Sequence, residues 1–374
     1  MAWQEGRKNK MKRMIAVGIL AAMLAAVPTS CDGVSGEMAE NGFRPSAGAD
    51  ASGNDVSTED SSLVEDGKDK EEVDVLVTPV AEGEGPYTVD TRIEDVVNDP
   101  VFGDYGRLIF PVNDAYYRGG TLGELGLTWY SHIDPDATVA ITNYMYLRAE
   151  AGDTIFYDIY TGEEKEADPD KRNTGLFFFR GTPGEKFAVC NAGGGFAYVG
   201  AMHDSFPHAL ALSQEGYNAF ALIYRPGAQT ACEDLARAIS FIFEHAEELC
   251  VDTDCYSLWG GSAGARMAAW LGTYGPAAFG GDDLPQPGTV IMQYTGHSEY
   301  SEADPPTYAC VGENDGIASW RTMRNRLQHL EGFGIDTEFH SYPGLGHGFG
   351  LGTGTVAQGW FQDAVAFWEK QMGR

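Results

Sequence analysis

The sequence predicts an α/β protein: a doubly wound, mostly parallel sheet preceded by a β-rich N-terminal extension. Three observations carry this. From Lys186 onward, short runs rich in β-branched and aromatic residues alternate with helical stretches, the pattern of a parallel sheet covered on both faces. The stretch "LWGGSAGARMAAW", residues 258–270, passes from an apolar run through glycines around Ser262 into an alanine-rich helix. Ahead of both, "GRLIFPV", "TVAITNYMYL" and "DTIFYDIYT" are strand-like runs bounded by Gly, Pro and Asp.

The elements follow in order. "KFAVC" is a strand leading into "NAGGGF", and "YNAFALIY" is a strand preceding the helix "CEDLARAISFIFEHAEEL". That helix places Leu235, Ile239, Ile242, Phe243, Ala246 and Leu249 on one stripe at three- and four-residue spacing. "CYSLWGG" with its helix comes next, then "GTVIMQYTG", and "PTYACVGEND" with a helix around 318–331. "DTEFHSYPG" and a final helix near 356–371 close the chain. Ligands of such sheets bind at the carboxyl ends of the strands, so the residues just after each strand are the ones that matter.

The chain has 374 residues, enough for one large α/β domain with extras, and 43% hydrophobic content supports a sizeable core. A net charge of −30 argues against nucleic acid or an anionic membrane surface as partner. Residues 1–30 read as a secretory signal: Arg7, Lys8, Lys10, Lys12 and Arg13 precede the apolar run Met14–Val27, too short for a comfortable membrane span. The run ends in "PTSC", which resembles a bacterial lipoprotein cleavage site with Cys31 as the lipidated residue, although Pro28 stands where such sites carry a leucine-like residue. Ordinary cleavage and full secretion is the other reading. Residues 32–85 hold 15 acidic against three basic residues and almost no aromatics before Tyr87, the composition of a disordered acidic tether. The expectation is an extracellular or cell-surface protein that meets a membrane only through a lipid anchor. Its globular domain spans 86–374, with 86–175 as the extension. Cys250 and Cys255 could pair across "VDTD", and no cysteine spacing matches a zinc site.

Ser262 lies between a strand and a helix with small residues on both sides, the context of a nucleophile elbow. A serine hydroxyl needs a base to accept its proton, and the base needs an orienting acid. After "TYACVG" come Glu313, Asn314 and Asp315; after "TEFHSY" comes "PGLGHGFG" with His347. Both fall at carboxyl ends of strands, in the chain order serine, acid, histidine. Asp315 is preferred over Glu313, which could instead face solvent or cap the next helix. Among the other histidines, His340 lies within a strand, His329 and His245 on helices, and His132 ahead of the α/β unit. His203, His208 and His297 could line the cleft. The glycines of "NAGGGF" suit a loop that turns backbone N–H groups toward a developing oxyanion, with the N–H of Ala263 as second donor.

Together "NAGGGF", "GGSAG", "GEND" and "GLGHGF" resemble the α/β-hydrolase superfamily over residues 175–374, and within it bacterial acetyl-ester and acetylxylan-type serine esterases. The resemblance implies Ser262 as nucleophile, His347 as base and Asp315 as its orienting acid. It also implies an oxyanion hole from Gly193, Gly194, Gly195 and Ala263, with two of the three glycines as donors, and no metal or cofactor. Those esterases have a histidine that braces the loop; here Ala192 stands in its place, and Asn191 is the candidate brace. The implied activity is cleavage of short-chain carboxylic esters, acetylated polysaccharide among them, through an acyl-enzyme. The short stretch between the elbow helix and Asp315 leaves no room for a large lid there. Trp129, Tyr130, Tyr144 and Tyr146 are candidates for stacking on a sugar ring, or are core. A serine peptidase would use the same triad, and a non-catalytic binding module would predict a broken one.

Overall fold

The structure is a computed structural model and describes residues 85–130 and 132–374. The signal segment 1–30, Cys31 and all but the last residue of the 32–85 tether lie outside the described residues.

Eight strands form one sheet, in the order β10-β9-β8-β7-β5-β6-β4-β3. β3 is Phe156–Tyr157, β4 Gly175–Phe179, β5 Lys186–Asn191, β6 Asn218–Ile223 and β7 Asp252–Gly261. β8 is Thr289–Gln293, β9 Thr307–Gly312 and β10 Thr337–Tyr342. From β10 to β6 every pairing is parallel; β4 joins β6, and β3 joins β4, antiparallel. Central strands have no solvent face to offer: β6, β8 and β9 are buried at every residue, as strands of a parallel sheet under helices on both faces must be, and so is the antiparallel β4. β5 pairs with β6 on one side and β7 on the other, so the strand order reverses between β5 and β7. Chain leaving the carboxyl ends of these two strands therefore opens the crevice where such sheets bind ligands.

Nine helices accompany the strands among the described residues: α1 Ile93–Val97, α2 Pro135–Glu150, α3 Gly162–Ala167, α4 Ala201–Gln214 and α5 Ala228–Glu244. After these come α6 Ala246–Leu249, α7 Ala263–Tyr274, α8 Trp320–Gly332 and α9 Trp360–Gln371. The stripe of Leu235, Ile239 and Ile242 is buried along α5, which ends at Glu244 and is capped by His245 before the single turn α6.

The extension 86–175 is mainly helical rather than β-rich. "TVAITNYMYL" lies in α2, where Asp134 caps the first turn by accepting from the Asp136 and Ala137 N–H groups at 2.9 and 3.3 Å and Pro135 opens the helix. That start signal, with Ile141 and Met145 buried one turn apart, outweighs the strand preference of β-branched and aromatic residues. "GRLIFPV" continues from a 3₁₀ segment, Pro100–Leu108. In "DTIFYDIYT" only Phe156 and Tyr157 pair, as β3. The other strands here, β1 Tyr117–Arg118 and β2 Gly126–Leu127, form a two-residue ribbon apart from the main sheet. The last helix also starts later than the composition suggests, at Trp360, because Gly359 holds a φ of 99° before it.

Cys190, Cys232, Cys310, Cys250 and Cys255 are all unpaired thiols. Cys250 and Cys255 do not bridge. The three buried ones pack as small hydrophobes.

Candidate active site

β7 stops at Gly261 and α7 starts at Ala263, so Ser262 occupies the turn by itself. Its φ of 51° and ψ of −112° are a conformation that L residues rarely hold. Close neighbours enforce it. A Cβ on Gly264 would overlap the Asn191 carbonyl, one on Gly260 would overlap the Gly264 backbone, and one on Gly261 would come within 2.6 Å of Asp204 Oδ2. Gly260 and Gly264 are there because backbone crosses backbone, and Gly261 because side chains press against it. The Ser262 N–H donates to the Gln293 carbonyl at 3.0 Å, tying the turn to β8.

Two other strand ends reach this point. His347 Nε2 lies 3.1 Å from Ser262 Oγ, and its Nδ1 lies 2.7 Å from Asp315 Oδ2. The side chain of Asp315 is fully buried, and its other oxygen accepts from the Ile317 and Ala318 N–H groups, both at 2.7 Å. With the carboxylate accepting the Nδ1 proton, Nε2 of the neutral ring is left as acceptor for the serine hydroxyl. Glu313 takes no part: it is exposed and accepts from Ser341 Oγ at 2.9 Å.

Four of the remaining histidines bond groups outside this relay. His340 pairs with Glu338, His245 with Glu248, and His329 with the Asn325 carbonyl. His203 bonds the Gly348 carbonyl at 2.8 Å and so steadies the loop that carries His347. Burial lowers the pKa values of His203 and His208, the latter to about 4. Burial likewise pushes His297 well down, with Arg326 and Arg266 adding to the effect.

The glycine loop corrects one expectation. The Gly193 N–H points inward and donates to Asp204 Oδ2 at 2.8 Å, so Gly193 is no oxyanion donor. Neither Gly194 nor Gly195 donates its N–H to an acceptor among the described residues. Gly194 holds a φ of 128° against the Tyr198 carbonyl, where no side chain fits. Ala263 supplies the first amide of α7, which has no partner one turn back. Asn191 is not the brace. Its amide donates to the Val189 and Trp259 carbonyls at 3.1 and 2.9 Å, joining β5 to β7 beneath the loop.

Sequence reasoning missed Asp204, on the first turn of α4. Its carboxylate also accepts from Tyr130 Oη at 2.6 Å and from Tyr294 Oη. A signal was present: His203, Asp204, Ser205 and His208 are polar residues in a segment otherwise apolar, and all four are buried.

Of the four aromatics named for stacking, Tyr130 is taken up by Asp204. Tyr144 stacks on Phe179 and Tyr146 meets Tyr87 edge-on, both as packing. Only Trp129 faces solvent, 47% exposed, with a φ of 74°. Its ring lies against Gly195 and beside the stacked pair Tyr116 and Tyr198. A cavity of 470 Å³ beyond Tyr130 is lined by His132, Asp134, Met202, His203, Phe349 and Leu351, among others, and by no member of the triad.

The family model BD-FAE matches residues 184–286, the stretch holding the glycine loop and the Ser262 turn. No curated protein matches the sequence. Among solved structures, an acetyl ester-xyloside bifunctional hydrolase from Caldicellulosiruptor lactoaceticus superposes with a TM-score of 0.50 at 20% identity, over 58% of this chain and 96% of that one. The fold is that of the α/β-hydrolases. Two further structures are similar to this chain. A thermophilic esterase from Thermogutta terrifontis has a TM-score of 0.47 at 19% identity, over 54% and 88% of the two chains. A sugar hydrolase from Lactococcus lactis has a TM-score of 0.47 at 20% identity, over 54% and 95%. Among the described residues, no His, Cys, Asp and Glu side chains cluster as metal ligands, and no helix is long and apolar enough to cross a membrane.

Proposed function

We propose that the protein is a serine hydrolase of short-chain carboxylic esters. The observation that carries this is the unbroken relay from Ser262 Oγ through His347 to Asp315. His347 accepts the Ser262 proton as the hydroxyl attacks the ester carbonyl, and Asp315 stabilises the imidazolium that forms. The developing oxyanion is met by the N–H of Ala263 and by those of Gly194 and Gly195. His347 then protonates the departing alcohol, and water repeats the sequence on the acyl-enzyme.

A short acyl group fits the chain between α7 and Asp315. It contains one 3₁₀ turn, Pro276–Phe279, then β8 and β9, and no helical lid. On the alcohol side, the exposed face of Trp129 beside the glycine loop suits the flat apolar face of a sugar ring, which supports acetylated polysaccharide as substrate. Anchorage through Cys31 would hold the enzyme at the cell surface near such a polymer.

The purified protein is expected to release nitrophenol from p-nitrophenyl acetate, with Ser262→Ala abolishing release and labelling by a fluorophosphonate. Rates falling with acyl length, and acetate release from acetylated xylan, would place the substrate. Cleavage of aminoacyl nitroanilides without acetate esters would replace the esterase by a peptidase. An unlabelled Ser262 would leave a binding module.

A further inference from the structure

We infer that Asp204 is the positioning residue of the oxyanion loop. It rests on the esterase reading above, because a loop needs aiming only if an oxyanion forms there.

The carboxylate is 1% exposed and carries three hydrogen bonds from three separate parts of the chain. One Oδ accepts from the Gly193 N–H at 2.8 Å and from Tyr130 Oη at 2.6 Å; the other accepts from Tyr294 Oη. Gly193 follows β5, Tyr130 belongs to the extension, and Tyr294 follows β8. The same carboxylate lies directly under the nucleophile turn, where it leaves no space for a side chain on Gly261. Gly193 in turn abuts the serine: a Cβ on it would come within 2.9 Å of Ser262 Cβ. Tyr294 packs edge-on against the His347 ring with centroids 5.0 Å apart. One side chain thus touches the donor loop, the turn that holds the nucleophile and the tyrosine beside the base.

Burying a carboxylate is costly unless donors surround it, and an apolar residue would fill the same volume without that cost. What an apolar residue cannot do is accept the Gly193 N–H. By capturing that amide the carboxylate fixes the plane of the Ala192–Gly193 peptide, and the amides left over are those of the next residues. The Gly193 carbonyl is held as well, by the Gly200 N–H at 2.9 Å, and the Ala192 carbonyl by Tyr224 Oη at 2.7 Å. The loop is clamped at its root, leaving the Gly194 and Gly195 amides without protein partners among the described residues.

Asp204→Asn keeps the shape and exchanges one acceptor oxygen for a donor. The expected result is a fall in kcat of about 100-fold, the size of losing one oxyanion donor, with KM nearly constant. Affinity for a boronic acid, which becomes tetrahedral on Ser262, should fall by the same factor as kcat/KM. By amide exchange, the Gly193 proton should be protected in the native protein and exchange faster in the variant. A folded Asp204→Asn enzyme with native kcat, or with unchanged Gly193 exchange, overturns the inference. Should that variant not fold, Tyr294→Phe removes one donor and keeps the carboxylate. It is then expected to lower kcat without raising KM and to speed Gly193 exchange, and no change in either is equally fatal. Ser262→Ala decides the esterase reading separately; were the native protein inert toward esters, the exchange measurement would still decide the role of Asp204.

Discussion

At Asp315 and Glu313, two carboxylates two positions apart do different work because of where the strand ends. Asp315 turns back into the protein, is fixed by two backbone N–H groups and meets the imidazole. Glu313 projects into water toward Ser341. Steady-state kinetics should therefore separate them: Asp315→Asn is expected to lower kcat about 10⁴-fold by leaving the ring in the wrong tautomer, while Glu313→Gln leaves it nearly unchanged. Equal losses would mean that the acid has been misassigned. Proximity in sequence could suggest both residues, but only the path of the loop distinguishes them. Gly193 shows the same limit. The triplet was legible as a loop of amides, whereas the direction of each amide depends on Asp204, eleven residues on and invisible to local pattern.

The turn between β7 and α7 is the element on which the site is built, and its glycines differ from others in the chain. A side chain at position 264 would overlap the carbonyl of Asn191, whereas one at Gly316 would meet nothing within 4 Å. Denaturant unfolding should show Gly264→Ala destabilised by roughly 3 kcal/mol and Gly316→Ala changed by less than about 0.5 kcal/mol. A fully stable Gly264→Ala protein would mean that β5 and α7 are not packed as described. The α/β half was legible because its strands carry compact runs of β-branched and aromatic residues and alternate with helical stretches, as in "YNAFALIY" ahead of the striped α5. The extension was not. In "TVAITNYMYL" the intrinsic preference points to strand, and the deciding information lies just outside it, in the cap at Asp134 and the proline that follows.

Across the whole molecule, three buried histidines make stability depend on pH. His203, His208 and His297 are each below 7% exposed, and burial lowers the pKa of all three. For His208 the folded value is about 4, against 6.5 for the free side chain. Below pH 6.5 the unfolded chain takes up a proton that the folded one refuses, so stability falls as pH drops from 6.5 toward 4 and levels off beneath. From His208 the loss approaches about 3 kcal/mol at most. Denaturation midpoints measured across that range should decline, and His208→Gln should flatten the decline; a midpoint independent of pH would count against neutral burial.

The sheet order has a last consequence. Ser262 and Asp315 follow strands packed on both sides, β7 and β9, but His347 hangs from β10, the outermost strand, every residue of which is only half-buried. Margins of sheets loosen at lower free energy than their middles. Mild urea should thus silence turnover before tryptophan fluorescence registers collapse of the interior, and dilution should restore it at once.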